Sequence, residues 1–321
     1  MELGLAIIFF IIGVYLVIKG GDWFVASASW IAHVIKIPTF IIGATIVSFA
    51  TTLPELTISV IASFKGQNDM AVGNALGSVI ANTGLIMAIA FTFMNIKTPR
   101  KKYFLQCLLL ISSLVILWLG CFNNILSIWT SLILFIVYIM FIVINIIQGQ
   151  HKHLEKLSTN ENPNKLTIKR KDIIIKIFLF ILSAIFIIGG SNLLINNGTT
   201  IAEKMGIPEH IIAISIIAIG TSLPELITTI AAIRKKEGSL SIGNIIGSNI
   251  INLCLILSTC SLVTLKSFII STRTVFIDFP FCFVITLIGI IPLIWKQRSY
   301  KWQGILMVLI YIIYLITSVL I

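Results

Sequence analysis

Two glutamates lie in apolar stretches of the sequence where a charged side chain is costly. Glu55 and Glu225 each follow a proline, Pro54 or Pro224, about midway along a run of mainly apolar residues. An ionised side chain at that depth in a membrane costs about 2.5 to 3.5 kcal/mol on insertion scales, so such residues are functional by default. The two carboxylates therefore indicate a binding site for cations.

Each proline is expected to interrupt its helix beside the glutamate. Proline has no N–H, so the carbonyl four residues earlier, on Ala50 or Gly220, loses its helical donor. Unpaired carbonyls at membrane depth are tolerated where they are satisfied again or line a cavity, and a bound cation would satisfy them. A proline kink without any ligand is the alternative at this point.

Both glutamates belong to a segment that occurs twice. Residues 38–86 align without a gap on residues 208–256, with every position shifted by 170 and 19 of the 49 positions identical. Both copies carry a second motif, GNALGSVIAN at 73–82 and GNIIGSNIIN at 243–252. Its Asn and Ser residues recur every four positions and form a polar stripe on a helix, while the neighbouring glycines let another helix approach closely. The two copies therefore predict two half-sites that converge on one composite site.

The oxygen-bearing groups of the two copies form one set without His or Cys. Such a set suits hard cations such as Ca²⁺ or Na⁺ and disfavours zinc or copper. Two carboxylates can be neutralised by one divalent ion, by monovalent ions or by protons, so occupancy would be mutually exclusive. For Asn74 and Asn244 a structural interhelical hydrogen bond is an equal alternative. The predicted side chains are Glu55, Glu225, Thr51, Thr221, Thr52, Ser222, Ser78, Ser248, Asn82 and Asn252.

Composition places these motifs in a membrane. The chain is 58% hydrophobic and only 11% charged, its mean hydropathy is +1.07, and apolar runs of about 20 residues recur along it. We therefore predict an all-α membrane protein with ten transmembrane helices. The predicted spans are 3–20, 39–63, 70–94, 103–122, 125–147, 173–195, 208–233, 239–263, 274–295 and 302–320.

A hydrophilic stretch divides the chain into two halves. Residues 1–147 are predicted to form a first five-helix repeat, residues 148–172 a linker and residues 173–321 a second five-helix repeat. Because five is odd, the second repeat must enter the membrane from the opposite side, which gives an inverted repeat within one transport domain. Inverted repeats are typical of secondary transporters, although duplication also occurs in channels.

Basic residues indicate the orientation and the partners. The net charge of +11 would suggest nucleic acid for a soluble protein, but in a membrane protein basic residues mark cytoplasmic loops. This distribution predicts a multi-pass protein of the cell membrane with a cytoplasmic linker and with both termini outside. The first segment carries the acidic Glu2 and no cleavage site, so we expect it to be a retained span. The five cysteines lie in or beside spans without a CxxC pair and are expected to be packing residues.

The repeated motifs resemble those of the sodium/calcium exchangers, specifically the short prokaryotic members with two alpha-repeats. GTSLPE at 220–225 matches the family pattern fully, whereas ATTLPE at 50–55 has Ala50 for glycine and Thr52 for serine. The resemblance implies that Glu55 and Glu225 are shared ligands for Ca²⁺ and Na⁺.

The resemblance also implies roles for the remaining groups of the site. Thr51 and Thr221 would act mainly through backbone carbonyls, and Asn82 and Asn252 would stand at the centre. Some relatives have aspartate where this chain has Asn252. Flanking sodium sites would be lined by Thr52, Ser78, Ser222 and Ser248, with the carbonyls of Ser48 and Ala218. Spans one and six would be long and tilted, and would slide against a core of the other eight.

The sequence thus predicts a secondary-active antiporter that exchanges Na⁺ for Ca²⁺ by alternating access. A proton- or potassium-coupled calcium exchanger and, further away, a cation channel are the alternatives. We expect no enzyme and no ATP site, since the sequence contains no P-loop, HExxH or GxSxG motif. We expect no cofactor beyond the transported ions, and a monomer whose other partner is the lipid bilayer.

Overall fold

The structure is a computed structural model that describes residues 2–97, 100–158, 170–205, 220–265 and 267–320. Helices account for almost all of these residues, as the apolar composition predicts. We number them α1 (Glu2–Val34), α2 (Thr39–Thr51), α3 (Leu53–Phe64), α4 (Asn68–Phe93), α5 (Arg100–Gly120), α6 (Ile128–Ser158), α7 (Arg170–Lys204), α8 (Leu223–Arg234), α9 (Gly238–Thr264), α10 (Thr274–Trp295) and α11 (Lys301–Leu320).

Membrane-spanning length and apolarity are confirmed for most of the predicted spans. Eight single helices of the described residues are long and apolar enough to cross a membrane. α2 and α3 add a ninth span if this pair, bent by 48°, is counted as one. The predicted span 208–233 lies partly outside the described residues, which contain its C-terminal part as α8. The protein is therefore an all-α, multi-pass membrane protein.

The first and sixth spans are long, as the family resemblance implies, but the bounds predicted for them from hydropathy are too short. The spans 3–20 and 173–195 correspond to α1 and α7, which continue to Val34 and Lys204. Asp22 ends the apolar run of α1, yet the helix continues past it, and Asp22 forms a salt bridge with Arg234 of α8. Gly21 packs so closely against α8 that an added Cβ would lie 2.8 Å from Ile227 Cγ2. Similarly, α6 continues to Ser158, into the stretch predicted as the linker.

The helices that carry the repeated Gly-Asn motif form the centre of the molecule. In the most apolar stretch of α4 and of α9, 72% and 83% of the residues are buried inside the protein. The corresponding share is 22% in α1, α7 and α11. Most residues of the outer helices are therefore at least partly exposed at the surface of the protein, while α4 and α9 are enclosed by protein. α1 and α7 pack along each other through close contacts at Gly13, Gly20 and Gly190.

A short sheet and the cysteines complete the packing. Ile125–Leu126 (β1) pairs antiparallel with Phe268–Ile269 (β2) between the two halves of the chain. Because residues 125–126 form this strand, the span predicted from 125 begins as a helix only at Ile128. All five cysteines are buried and free, in agreement with a packing role.

Candidate cation-binding site

The bend between α2 and α3 places Glu55 at the start of a helix, and the same construction places Glu225 at the start of α8. Thr52 precedes α3 with φ −90° and ψ 2°, and Ser222 precedes α8 with φ −88° and ψ 8°. The proline that follows tolerates this position because the first helical turn needs no N–H donor there. A helix N-terminus also stabilises a carboxylate in its first turn. The predicted interruption beside the glutamate is thus confirmed at Glu55, and both copies share their local backbone conformation.

Most of the predicted side chains are enclosed by protein. Glu55 and Glu225 are both fully buried, and their carboxyl groups are close enough to interact electrostatically. Thr221 is the exception, since it is only partly buried. The other buried members of the predicted set are Thr51, Thr52, Ser78, Asn82, Ser222, Ser248 and Asn252.

Glu225 takes part in a hydrogen-bonded cluster that joins the two halves. Ser248 Oγ donates to Glu225 Oε1 over 3.3 Å, and Thr52 Oγ1 lies 3.2 Å from the same oxygen. Thr52 Oγ1 also lies 3.0 Å from Ser248 Oγ and 2.6 Å from the Ser48 carbonyl. A hydroxyl has a single proton, so Thr52 can serve only one of these acceptors at a time. We call Thr52, Ser248 and Glu225 the closed triad.

The equivalent residues around Glu55 do not make the equivalent contacts. Subtracting or adding the offset of 170 turns the closed triad into Ser222, Ser78 and Glu55. Both carboxylate oxygens of Glu55, together with Ser222 Oγ and Ser78 Oγ, are buried without a hydrogen-bond partner among the described residues. We call these three residues the open triad.

Further unpartnered polar atoms belong to the same predicted set. Glu225 Oε2 and both side-chain polar atoms of Asn82 and of Asn252 are buried without a hydrogen-bond partner among the described residues. Each such atom costs about 1–3 kcal/mol unless something pairs with it. Proteins therefore keep few of them, and their concentration at carboxylate, hydroxyl and amide positions fits a hard cation.

Two of the predicted groups have contacts that bear on their availability. Thr51 Oγ1 lies 3.3 Å from both the Ser48 carbonyl and Asn244 Oδ1. The Ser48 carbonyl also accepts from the Thr52 backbone N–H and lies near its hydroxyl. A carbonyl has two lone pairs, so contact between Ser48 and an ion requires at least one of these donors to turn away. Ala218 lies outside the described residues.

Asn74 and Asn244 act as interhelical hydrogen-bond donors. Asn74 Nδ2 donates to Ser59 Oγ over 2.9 Å and to the Glu55 carbonyl over 3.2 Å, which ties α4 to α3. Asn244 Nδ2 donates to Thr228 Oγ1 over 3.0 Å, which ties α9 to α8. These bonds support the structural interpretation of both asparagines, which hold the glutamate helices against the central helices.

The glycines of the second motif allow α2 to cross α9 in close contact. A Cβ on Gly243 would overlap the Phe40 carbonyl, and a Cβ on Gly247 would overlap the Ala44 carbonyl and crowd Ser48 Oγ. Gly43 on α2 is placed in the same way against the Leu240 carbonyl. The predicted small-residue surface is therefore used in the second copy of the motif, where it brings Thr52 to Ser248. In the first copy, an added Cβ on Gly73 or Gly77 would meet no atom of the described residues within 4 Å.

Sequence reasoning did not single out Asn249, which is fully buried beside Ser248. Comparison of the two copies did not identify this residue, because the first copy has Val79 at the corresponding position. The available signal was a third amide inside one apolar span, since polar residues at that depth are rare.

Comparison with known proteins assigns the family. The sequence profile of the sodium/calcium exchanger protein family matches residues 5–147 and 175–320. The sodium/calcium exchanger MaX1 of Methanosarcina acetivorans is 30% identical over 95% of this chain and 96% of its own length. The inner membrane protein YrbG of Escherichia coli is 34% identical over 81% of this chain and 80% of its own length.

A solved structure extends the similarity to the fold. The sodium-calcium exchanger NCX_Mj, in crystals soaked with Na⁺ and Sr²⁺, superimposes with a TM-score of 0.81 at 26% sequence identity. The superposition covers 97% of this chain and 98% of that structure. Profile, relatives and fold agree over both halves, and the chain belongs to the sodium/calcium exchanger family.

Proposed function

We propose that the protein exchanges Na⁺ for Ca²⁺ by alternating access through one site shared by both ions. The observation that carries the proposal is the pair of buried carboxylates, Glu55 and Glu225, supplied by two copies of one motif and surrounded by unpartnered buried oxygens. One Ca²⁺ or two Na⁺ would neutralise the pair. The two ions would then exclude each other, which is the physical requirement for exchange.

The ligands in this proposal are the predicted set, whose members differ in how available their oxygens are to an ion. Glu55 Oε1 and Oε2 and Glu225 Oε2 are buried without a hydrogen-bond partner among the described residues, and such oxygens are available to a cation. The hydroxyls of Ser78 and Ser222 and the amide oxygens of Asn82 and Asn252 are available in the same sense. Thr51 and Thr221 would contribute backbone carbonyls. Thr52 and Ser248 would exchange their present contacts for the ion.

The architecture of the proposal is ten spans in two inverted five-helix repeats, acting as a monomer. An inverted repeat places related half-sites on opposite halves of the protein, which can rock about a site near the bilayer midplane. The described helices provide nine spans if α2 and α3 are counted as one. The tenth in this proposal is the predicted span 208–233, of which the described residues contain only the C-terminal part as α8. Both termini would lie outside the cell, because this orientation leaves most basic loops in the cytoplasm.

Flux measurements in proteoliposomes test the proposal. Vesicles loaded with Ca²⁺ are diluted into media in which Na⁺, K⁺ and pH are varied separately. We expect Ca²⁺ release to require Na⁺ on the opposite side and to be unaffected by K⁺ or by a pH gradient. If the rate of Ca²⁺ release does not depend on Na⁺ but depends on K⁺ or on the pH gradient, the protein is instead a potassium- or proton-coupled exchanger. Conductance above carrier turnover without any counter-ion would indicate a channel.

A further inference from the structure

Asn249 makes a buried hydrogen bond between the two central helices. Its Nδ2 on α9 donates to Thr83 Oγ1 on α4 over 2.8 Å, and both side chains are almost completely buried. Asn249 Oδ1 has no hydrogen-bond partner among the described residues. Within that part of the chain, the bond to Thr83 is therefore what holds this amide in place.

Both partners of this bond are adjacent in sequence to proposed ligands. Asn249 follows Ser248, and Thr83 follows Asn82. Successive residues of a helix point about 100° apart, so Asn249 faces α4 while Ser248 faces Glu225. The bond thus lies beside the site without taking part in it. The bond joins α9, which carries Ser248 of the closed triad, to α4, which carries Ser78 of the open triad and Asn82.

The helix at Thr83 has a local geometry that makes such an anchor consequential. Residues Asn82–Met87 form a π-helical segment, in which backbone hydrogen bonds join residues five positions apart instead of four as in an α-helix. Such segments are rare and occur frequently at functional sites. Because a π-helical turn departs from the ordinary helical register, contacts from outside help to decide where Asn82 points.

Packing alone fixes the other sides of this segment. An added Cβ on Gly84 would lie 3.0 Å from Tyr311 Cβ of α11. An added Cβ on Gly289 of α10 would lie 3.1 Å from Met87 Sδ and 3.5 Å from Thr83 Cγ2. These are apolar contacts, whereas the bond from Asn249 is directional. It is therefore suited to set the rotation of the helix at Asn82.

The bond has no counterpart in the repeat. The offset of 170 turns Asn249 into Val79 and Thr83 into Leu253, which are both apolar. We infer that Asn249 is a positioning residue that acts through Thr83 to hold Asn82 in place for ion binding. The inference rests on the proposed function, because it assumes that Asn82 is a ligand.

The test compares ion affinity with maximal rate in variants of this pair. Asn249→Ala and Thr83→Val should each raise the Ca²⁺ concentration for half-maximal transport by about 3- to 20-fold, as expected for one interhelical hydrogen bond in a membrane protein. The double variant should be no worse than the poorer single variant, because both changes remove the same bond. Thr83→Ser keeps the acceptor and should restore wild-type half-saturation. The maximal rate should change less than the affinity.

A buried amide outside the predicted set of ligands provides the control. Asn145 on α6 donates to the Phe141 carbonyl, and its Oδ1 accepts from Gln106 Nε2 of α5 over 3.2 Å. Asn145→Ala should lower the melting temperature in detergent to a similar extent but leave half-saturation unchanged. If it raises half-saturation as much as Asn249→Ala does, general loosening explains the effect and the inference is wrong.

The outcomes separate this inference from the proposed function. Unchanged half-saturation in Asn249→Ala and Thr83→Val, or additive effects in the double variant, would overturn the positioning role while leaving the exchanger intact. Wild-type protein without Na⁺-dependent Ca²⁺ flux would overturn the proposed function itself. If Asn249→Ala does not fold, Thr83→Val and Thr83→Ser alone decide, because each changes a single heavy atom of Thr83 and only Thr83→Ser keeps the hydroxyl.

Discussion

The two triads have the same ancestry in sequence but different hydrogen bonds. In the closed triad, Glu225 Oε1 lies within hydrogen-bonding distance of Thr52 and Ser248. In the open triad, Glu55, Ser78 and Ser222 keep buried polar atoms without a partner among the described residues. The backbone before each glutamate is nearly the same, so the difference lies in side-chain contacts. Repetition in sequence therefore predicts which residues converge but not how they pair.

A second difference concerns the long helices α1 and α7. Asp22 of α1 forms a salt bridge with Arg234 at 3.4 Å, and Ser29 of α1 donates to Glu237 just after α8. Aligning Gly20-Gly21 with Gly189-Gly190 replaces Asp22 and Ser29 by Ser191 and Gly198. The offset of 170 replaces Arg234 and Glu237 by Phe64 and Gln67. The equivalent contacts between α7 and the end of α3 are therefore missing, because these residues lack the side chains to repeat them.

The largest effect is expected from either carboxylate, because the comparison assigns both to one site despite their different contacts. Glu55→Gln and Glu225→Gln should each reduce Ca²⁺ transport by more than about 100-fold, since even loss of a ligand's hydrogen-bond partner commonly costs 10- to 100-fold in metal affinity. Uptake into proteoliposomes measures this, with Glu203→Gln on the exposed surface of α7 as the control. Near-normal uptake in one of the two site variants would mean that only the other triad holds the ion.

Gly243→Ala should disrupt the crossing that builds the closed triad. The new Cβ would overlap the Phe40 carbonyl, which belongs to the backbone and cannot turn aside. Overpacking of this kind costs about 1–3 kcal/mol or more, so we expect a clear drop in melting temperature in detergent. Gly4→Ala is the matched control, because an added Cβ there meets no atom within 4 Å. Equal melting temperatures for the two variants would contradict the close α2–α9 contact.

Thr52→Val and Ser222→Ala should separate the triads in the ion-free protein. Thr52→Val removes a hydroxyl that contacts Glu225 and Ser248, so it should destabilise the ion-free protein by about 1 kcal/mol. Ser222→Ala removes a hydroxyl without a partner among the described residues and should leave that stability nearly unchanged. Both should weaken Ca²⁺ binding. Melting curves recorded in chelator and with added Ca²⁺ distinguish these effects, and equal destabilisation in chelator would remove the distinction between the triads.

Asp22→Asn should have the smallest effect. Its salt bridge to Arg234 is partly exposed, with side-chain exposures of 27% and 60%, so it contributes about 0–1 kcal/mol. We expect a less than about fivefold change in transport rate, which should shrink further at high ionic strength. Ser191→Ala on α7 provides the comparison, since it removes no such ion pair. A larger change for Ser191→Ala would argue that the contacts of α1 have no special role.

The sequence was sufficient to predict an all-α membrane protein and a cluster of residues drawn from both copies, for physical reasons visible in particular residues. Glu55 and Glu225 stand out because charge inside an apolar run is costly, and the glycines beside Asn244 indicate a close helix crossing. The length of α1 was not predictable from hydropathy, because Asp22 and Ser29 resemble the end of a span. Their partners, Arg234 and Glu237, lie more than 200 residues away and become neighbours only in the folded chain.

Asn249 shows the complementary limit. Comparison of the repeats favours residues present in both copies, so an interaction built into only one copy is missed. The open and closed triads were unpredictable for a related reason. Thr52 and Ser222 are chemically similar, and their different contacts depend on the arrangement of whole helices rather than on their own types.

Equilibrium Ca²⁺ binding to purified protein, titrated with Na⁺, tests the central claim that both triads form one shared site. We predict that each chain binds one Ca²⁺ at this site, that Na⁺ displaces it completely, and that Glu55→Gln and Glu225→Gln each abolish the binding. Ca²⁺ binding that persists undiminished in saturating Na⁺, or that survives in either variant, would contradict a single shared site.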